Sequence, residues 1–253
     1  MLRGAFSEEG LFVLIGADVS RNLISRRLGG SAGSVGSSSA RVATRLREAI
    51  VSGLFDPGDR LKQEELMQHF DVSVGPVREA LRTLESEGIV VYAPRRGYSV
   101  AAVSLSEAEI VLPVRLIVEQ AAFAQLRDAA DEKLLTLLDD LVAEMRSGAR
   151  AGSAQRVNDA DMSFHEAVVT SCSASPQAVR LWQLVMSRVR MLFNVLTPLH
   201  SDLSSVADEH LLLLATIRGG SGEELRSLVE EHVYTQPFAL LERAWKAEDH
   251  PAD

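Results

Sequence analysis

The chain has 253 residues, 46% hydrophobic and 24% charged, with 26 Lys and Arg against 35 Asp and Glu for a formal net charge of −9. That length supports two modest domains, each with its own core. The single cysteine, Cys172, cannot close an intrachain disulfide, and no CxxC or Cys/His zinc spacing occurs, so a disulfide scaffold and a zinc finger both drop out and a reducing cytoplasm is the expected compartment. No apolar run approaches the roughly 18–20 residues that span a bilayer. The nearest, Leu11 to Ala17, follows Glu8 and Glu9 instead of a basic stretch, so neither a membrane association nor a signal peptide is expected. The acidity is also uneven: residues 39–103 balance 9 basic against 9 acidic side chains, whereas 104–253 carry 13 against 23. A neutral N-terminal segment still suits DNA if its basic side chains converge on one face.

In chain order, Gly29 to Ala40 reads GGSAGSVGSSSA, a Gly/Ser linker. Residues 1–38 are therefore expected to form a flexible extension, or to reflect a start codon placed too far upstream. Val42, Leu46 and Ile50 then recur at helical spacing, ending near Gly53, and Pro57-Gly58 marks a turn. A short second helix follows through Glu64, Leu66 and Phe70. A third is expected to open at Pro76, bury Val77, Ala80, Leu81 and Leu84, and end at Gly88. The β-prone runs 89–92 and 98–101, separated by Pro94-Arg95-Arg96-Gly97, predict a hairpin. Three helices and a hairpin over 39–103 make a winged helix-turn-helix. Beyond it the strand signal vanishes. Capping boxes at Ser104-x-x-Glu107 and Ser221-x-x-Glu224, with breaks near 147–153 and 219–222, predict six helices at about 104–129, 131–148, 154–172, 176–196, 203–218 and 222–246. The expected fold is thus mainly α, with an antiparallel helical bundle over 104–247 and a tail at 248–253.

The run Gly53-Leu-Phe-Asp-Pro57-Gly58-Asp-Arg60-Leu61, then Glu65-Leu66, Val72-Ser73-Val74-Gly75-Pro76-Val77-Arg78-Glu79-Ala80-Leu81-Arg82-x-Leu84, Gly88 and Arg96-Gly97 resembles the DNA-binding domain of the GntR family of bacterial transcription regulators. A recognition helix presents its first turns to base edges in the major groove. Arg78 is the side chain best placed to pair with a guanine O6 and N7, with Arg82 further along the same helix. Ser73 and the Gly75 amide would meet phosphate. Arg95 and Arg96 at the hairpin tip suit the minor groove, and Gly97 permits a tight approach. The plain alternative is that these arginines are solvated charges. Two residues depart from the family pattern: Val74 stands where an arginine is common, and Glu64 where a basic residue is frequent.

In the C-terminal part, Asp161-x-x-x-His165 places a carboxylate and an imidazole one turn apart on a helix face. His210 and His232 fall in two later helical segments, each after an acidic residue, Glu209 and Glu231. Singly, each histidine reads as a surface or core residue. As a set over 104–246 they resemble the FCD ligand-binding domain found behind the winged helix in one GntR subfamily. That resemblance implies Asp161, His165, His210 and His232 as metal ligands. Three imidazoles and a carboxylate suit zinc first, and also nickel, cobalt or manganese. It further implies a small organic acid effector at the open coordination position, recognised by Arg115, Arg188, Arg190 and, more weakly, Asn194. For Arg115 the alternative is an ion pair with Glu119, four residues on. His69, His200 and His250 are given no role. The implied protein is a ligand-responsive regulator, most often a repressor in this family, binding near-palindromic double-stranded operator DNA as a homodimer. A metal-independent regulator of the same fold is the first alternative. A metal-dependent hydrolase or lyase is the second, disfavoured because no free general base, nucleophile motif or Gly-rich phosphate loop is present and Asp159 falls off the Asp161/His165 face.

Overall fold

The computed structural model describes residues 28, 38–129, 131–173 and 175–249; most of the expected N-terminal extension, the end of the tail and His250 lie outside them. The chain divides into two compact units, one ending at Ser104 and the other beginning at Leu105.

In the first unit, α1 (Ser38–Val51) buries Val42, Ala43, Leu46, Ala49 and Ile50, the four-residue spacing made physical. The turn Asp56-Pro57-Gly58-Asp59 closes with an Asp59 N–H to Asp56 carbonyl bond of 3.0 Å, and Gly58 supplies the positive φ of 85° that its third position requires. This turn leads directly into β1 (Arg60–Leu61), which the sequence reading did not anticipate: two residues are too few to show a period. Next come α2 (Gln63–Phe70) and α3 (Val74–Ser86), then β2 (Val90–Ala93) and β3 (Gly97–Val100). The expected hairpin pairs Val90 with Val100 and Tyr92 with Tyr98, and β1 adds to its other edge, giving a three-stranded antiparallel sheet in the order β1-β3-β2. The recognition helix α3 opens at Val74, not at Pro76, with Ser73 extended before it. Pro76 is tolerated because the first four helical N–H groups have no intrahelical partner to lose. A two-pronged Arg47–Glu87 ion pair, 2.6 and 2.7 Å, ties α1 to the end of α3.

The second unit is entirely helical among the described residues. It comprises α4 (Leu105–Asp128), α5 (Glu132–Arg150), α6 (Ala154–Cys172), α7 (Pro176–Leu196), α8 (Ser204–Gly219), α9 (Gly222–Glu230) and α10 (Gln236–Asp249). Side-chain caps from Asp131, Ser153, Ser175 and Ser221 open α5, α6, α7 and α9. The sixth expected helix is interrupted: Glu231–Thr235 forms a π-helical turn between α9 and α10. The apolar pattern runs through both pieces, so it could not show where the hydrogen-bond register changes. Helix α4 packs against α6, α7 and α9. Its inner side carries Leu112, Val118, Ala122, Phe123 and Leu126, but also two buried charges, Arg115 and Glu119.

Candidate metal centre and nucleic-acid interface

In the winged helix, Ser73, Gly75, Arg78, Arg82, Arg95 and Arg96 are exposed and Gly97 is half-buried. Arg78 leans toward α2, its Nε donating to Gln63 Oε1 at 3.1 Å. A Cβ built on Gly75 meets nothing within 4 Å, so no internal contact demands glycine there. A bare backbone at the start of α3 does favour close approach of a phosphate. At the wing tip, Arg96 N–H bonds the Ala93 carbonyl at 3.0 Å, with Pro94 second in the turn and Arg95 third at a φ of 67°. A left-handed non-glycine residue carries strain of about 1 kcal/mol or more, which concentrates at functional sites. Val74 is 37% exposed at the head of the recognition helix, where it offers methyl groups and no donor.

The second unit brings Asp161, His165, His210 and His232 together. Helix α6 delivers Asp161 and His165 one turn apart, α8 delivers His210, and the π turn delivers His232. One ligand atom from each residue lies within 4.8 Å of all the others. His165 Nε2 is 3.1 Å from His232 Nε2 and 3.3 Å from His210 Nε2, and Asp161 Oδ1 is 3.2 Å from His210 Nε2. The far nitrogen of every ring faces an acceptor. His210 Nδ1 donates to the Val206 carbonyl at 2.7 Å, His232 Nδ1 lies 2.7 Å from Glu209 Oε2, and His165 Nδ1 lies 2.8 Å from Glu119 Oε2. Because a carbonyl or carboxylate oxygen only accepts, the bonds of His210 and His232 place their ring protons on Nδ1 and turn their Nε2 lone pairs toward His165 Nε2, whose own Nδ1 stands in close contact with the Glu119 carboxylate without a formed hydrogen bond.

The electrostatics agree. Burial pushes the His165 pKa down to about 4, Glu119 opposing it only in part, so the ring is neutral at pH 7. His232 is lowered as well, by burial first and then by His210. Burial would raise Asp161, but its contacts with His210, His165 and His232 outweigh it and hold this carboxyl well below its ordinary range. Asp161 Oδ2 is buried with no hydrogen-bond partner. Facing lone pairs at little over 3 Å, with a bare carboxylate oxygen beside them, repel one another until a cation sits among them. Both donor type and number fit zinc or a similar divalent ion. Phe164 packs edge-on to His210 at 4.6 Å between ring centroids and to His165 at 5.7 Å, an apolar wall that fixes the rings.

A cavity of about 470 Å³ opens onto this centre, and Asp161, His232, Glu209, Glu231 and Phe193 are among its walls. None of Arg115, Arg188, Arg190 or Asn194 lines it. Arg188 makes a two-pronged ion pair with Glu107, Arg190 pairs with Asp159, and Arg115 donates from Nε to Glu119 at 2.7 Å, behind Phe193, whose ring centroid lies 5.2 Å from the guanidinium carbon. Asn194 accepts at its carbonyl oxygen from the amide of Asn158, a wall residue, at 2.5 Å. Among the described residues, the arginine that does line the cavity is Arg243 in α10. The sequence reading missed Arg243, Glu119 and Glu209 as site residues. Glu119 was visible only as the ion-pair partner of Arg115, and Glu209 only as the neighbour of His210, although its carboxylate serves His232.

A winged helix-turn-helix in one unit, and in the other a helical bundle with a buried Asp/His cluster able to hold a metal ion, are the parts of a transcription regulator. The comparisons agree. Residues 38–100 match the bacterial regulatory proteins of the gntR family, and residues 110–235 match the FCD domain. The gluconate operon transcriptional repressor of Bacillus licheniformis is 30% identical over 72% of this chain and 76% of its own length. The transcriptional regulator YdhC of Bacillus subtilis is 31% identical over 49% of this chain and 56% of its own. A transcriptional regulator GntR from Rhodococcus sp. RHA1 shares the fold, with a TM-score of 0.72 at 23% identity over 82% of this chain and 99% of that one. The protein belongs to the GntR family of transcription regulators and carries an FCD domain; its domains and relatives are those of regulators and not of enzymes. No helix among the described residues is long and apolar enough to cross a membrane.

Proposed function

We propose that the protein is a metal-dependent, acid-responsive repressor that binds a near-palindromic operator as a homodimer. The observation that carries the metal part is the convergence of three Nε2 atoms and Asp161 Oδ1, each ring backed by its own acceptor. A divalent ion, zinc first, is held by Asp161, His165, His210 and His232. Bound there, it supplies an electrophilic position for an oxygen of a small organic acid, and the cavity walls hold the rest of that molecule. Arg243 takes over the role expected of Arg188 and Arg190, since both already face a carboxylate, whereas Arg115 gives only its Nε to Glu119 and keeps both Nη atoms buried without a hydrogen-bond partner behind Phe193. Ser73, Gly75, Arg78, Arg82 and the wing residues Arg95, Arg96 and Gly97 form the DNA face. Repression is the named role of the B. licheniformis relative and is the sense proposed here. For an acid to switch the protein it must bind the DNA-competent and DNA-incompetent arrangements with different affinity.

The test is a thermal-shift screen of zinc-loaded and chelated protein against mono-, di- and hydroxycarboxylic acids. One acid class should raise the melting temperature of the zinc form and leave the chelated form unmoved, because a ligand stabilises only the state that binds it. Stoichiometric zinc with no response to any acid would remove the effector part. Absence of zinc binding would remove the metal part.

The homodimer has its own support. Helices α4 and α7 pack against each other and expose Ile110 and Ile117 on one, Leu181 and Leu184 on the other, at 67%, 71%, 49% and 76% of their surface. Large apolar side chains this exposed on neighbouring helices mark an interface. A second copy is the occupant that a two-fold operator requires. Leu184→Asp is expected to convert the dimer to monomer in light scattering while leaving the helical circular dichroism unchanged. An unaltered mass would place the interface elsewhere.

A further inference from the structure

We propose that Glu119 is a positioning residue of the metal centre: it holds His165 in the tautomer whose Nε2 is free to bind metal. Nothing in the spacing of the four ligands points to it, since it lies 42 residues before Asp161 on a different helix. This proposal rests on the metal reading for its consequence but not for its geometry.

Glu119 is fully buried and meets three groups from three helices. Its Oε1 accepts from Arg115 Nε at 2.7 Å within α4 and from Trp182 Nε1 of α7 at 2.8 Å. Its Oε2 lies 2.8 Å from His165 Nδ1 on α6. Two donors hold Oε1, which leaves Oε2 beside one ring nitrogen; neither Oε2 nor His165 Nδ1 has any other hydrogen-bond partner, so the carboxylate acts on the ring through this close electrostatic contact. An acceptor at Nδ1 keeps the proton there and leaves Nε2 bare. Arg115 acquires a different role from the one first expected: a buried cation that keeps Glu119 ionised. The competing account is a structural ion pair that merely fills the interior, in which case the ring protonation of His165 is indifferent to residue 119.

Glu119→Gln separates the two. The glutamine carbonyl oxygen stays with the two donors, Arg115 and Trp182, so its NH₂ faces His165 Nδ1. That nitrogen must then accept, and the proton moves to Nε2, where it blocks coordination. Nitrogen-15 NMR of the imidazoles in metal-free protein is expected to show His165 protonated at Nδ1 in the parent and at Nε2 in the variant. Cobalt affinity, measured by chelator competition and the visible d–d bands, is expected to fall about 10- to 100-fold, the usual cost of losing an outer-shell partner.

Because Glu119→Gln strands a buried guanidinium, the double variant Arg115→Met/Glu119→Gln serves beside it. Removing both charges together avoids the unpaired cation that threatens the fold. It should show the same tautomer change and the same loss of cobalt affinity. His165 protonated at Nε2 in the parent, or cobalt affinity unchanged in either folded variant, overturns the proposal. A parent protein that binds no cobalt overturns the metal reading instead, and the imidazole measurement still decides the tautomer.

Discussion

His165→Ala is expected to abolish stoichiometric metal binding and, with it, the response to acid, while leaving the DNA-binding unit able to engage DNA. His165 is the centre of the cluster. Its Nε2 lies close to those of both other histidines, and its Nδ1 lies 2.8 Å from Glu119. Loss of a direct ligand should exceed the roughly 10- to 100-fold cost of an outer-shell change. Metal content by mass spectrometry and the melting temperature with and without zinc are the measurements. In the parent, zinc at about a hundred times its dissociation constant contributes about 2.7 kcal/mol to stability. The variant should lose that increment entirely, and the chelated forms of the two proteins should differ only by the cost of the cavity that alanine leaves. Full metal occupancy in His165→Ala would show that the ion, if bound, sits elsewhere.

Arg78→Ala is the corresponding change in the other unit. Selection from a random pool of double-stranded oligonucleotides by the parent protein should return a sequence with two-fold symmetry, one half-site for each recognition helix. Against that sequence, Arg78→Ala is expected to lose about 1–3 kcal/mol, roughly 5- to 150-fold, and to relax the preference at one base pair of each half-site. The hydrogen bond from Arg78 Nε to Gln63 leaves the outer edge of the guanidinium available for a base. Equal affinity of parent and variant would demote Arg78 to a strut between α2 and α3. Val74, a turn earlier on the same helix, bears on which base pairs are chosen. It offers methyl groups and no donor, so a thymine is expected over a guanine at the position it meets.

Much of this protein was legible in its sequence, for a physical reason. Periodicity reports burial, so Val42, Leu46 and Ile50 in α1, and Val77, Ala80, Leu81 and Leu84 in α3, announced helices and their inner faces together. Turn residues report backbone conformation, so Pro57-Gly58 and Ser221-x-x-Glu224 marked a turn and a helix start that the structure contains. The Asp161-x-x-x-His165 spacing put two ligands on one face because a helix repeats every 3.6 residues. Such signals live within a few residues of the chain, and within that range sequence and structure agree apart from the start of α3, which lies two residues before Pro76.

What tertiary structure alone decided lies beyond that range. β1 exists because β3 offers it an edge, and the break in the last long helix that carries His232 leaves no trace in the apolar pattern. The arginines expected at the effector site are the sharpest case. Arg188 and Arg190 are chemically able to bind an acid, but packing brought Glu107 and Asp159 against them from other helices, while Arg115 makes the pairing with Glu119, four residues on, that its own helix offered. An arginine's role is set by which carboxylate reaches it, and that is a property of how helices pack. For the same reason Glu119 became the partner of His165 and Glu209 that of His232. The chain itself determined which side chains could bind metal, DNA or acid, whereas the fold determined which of them are left with nothing else to bind.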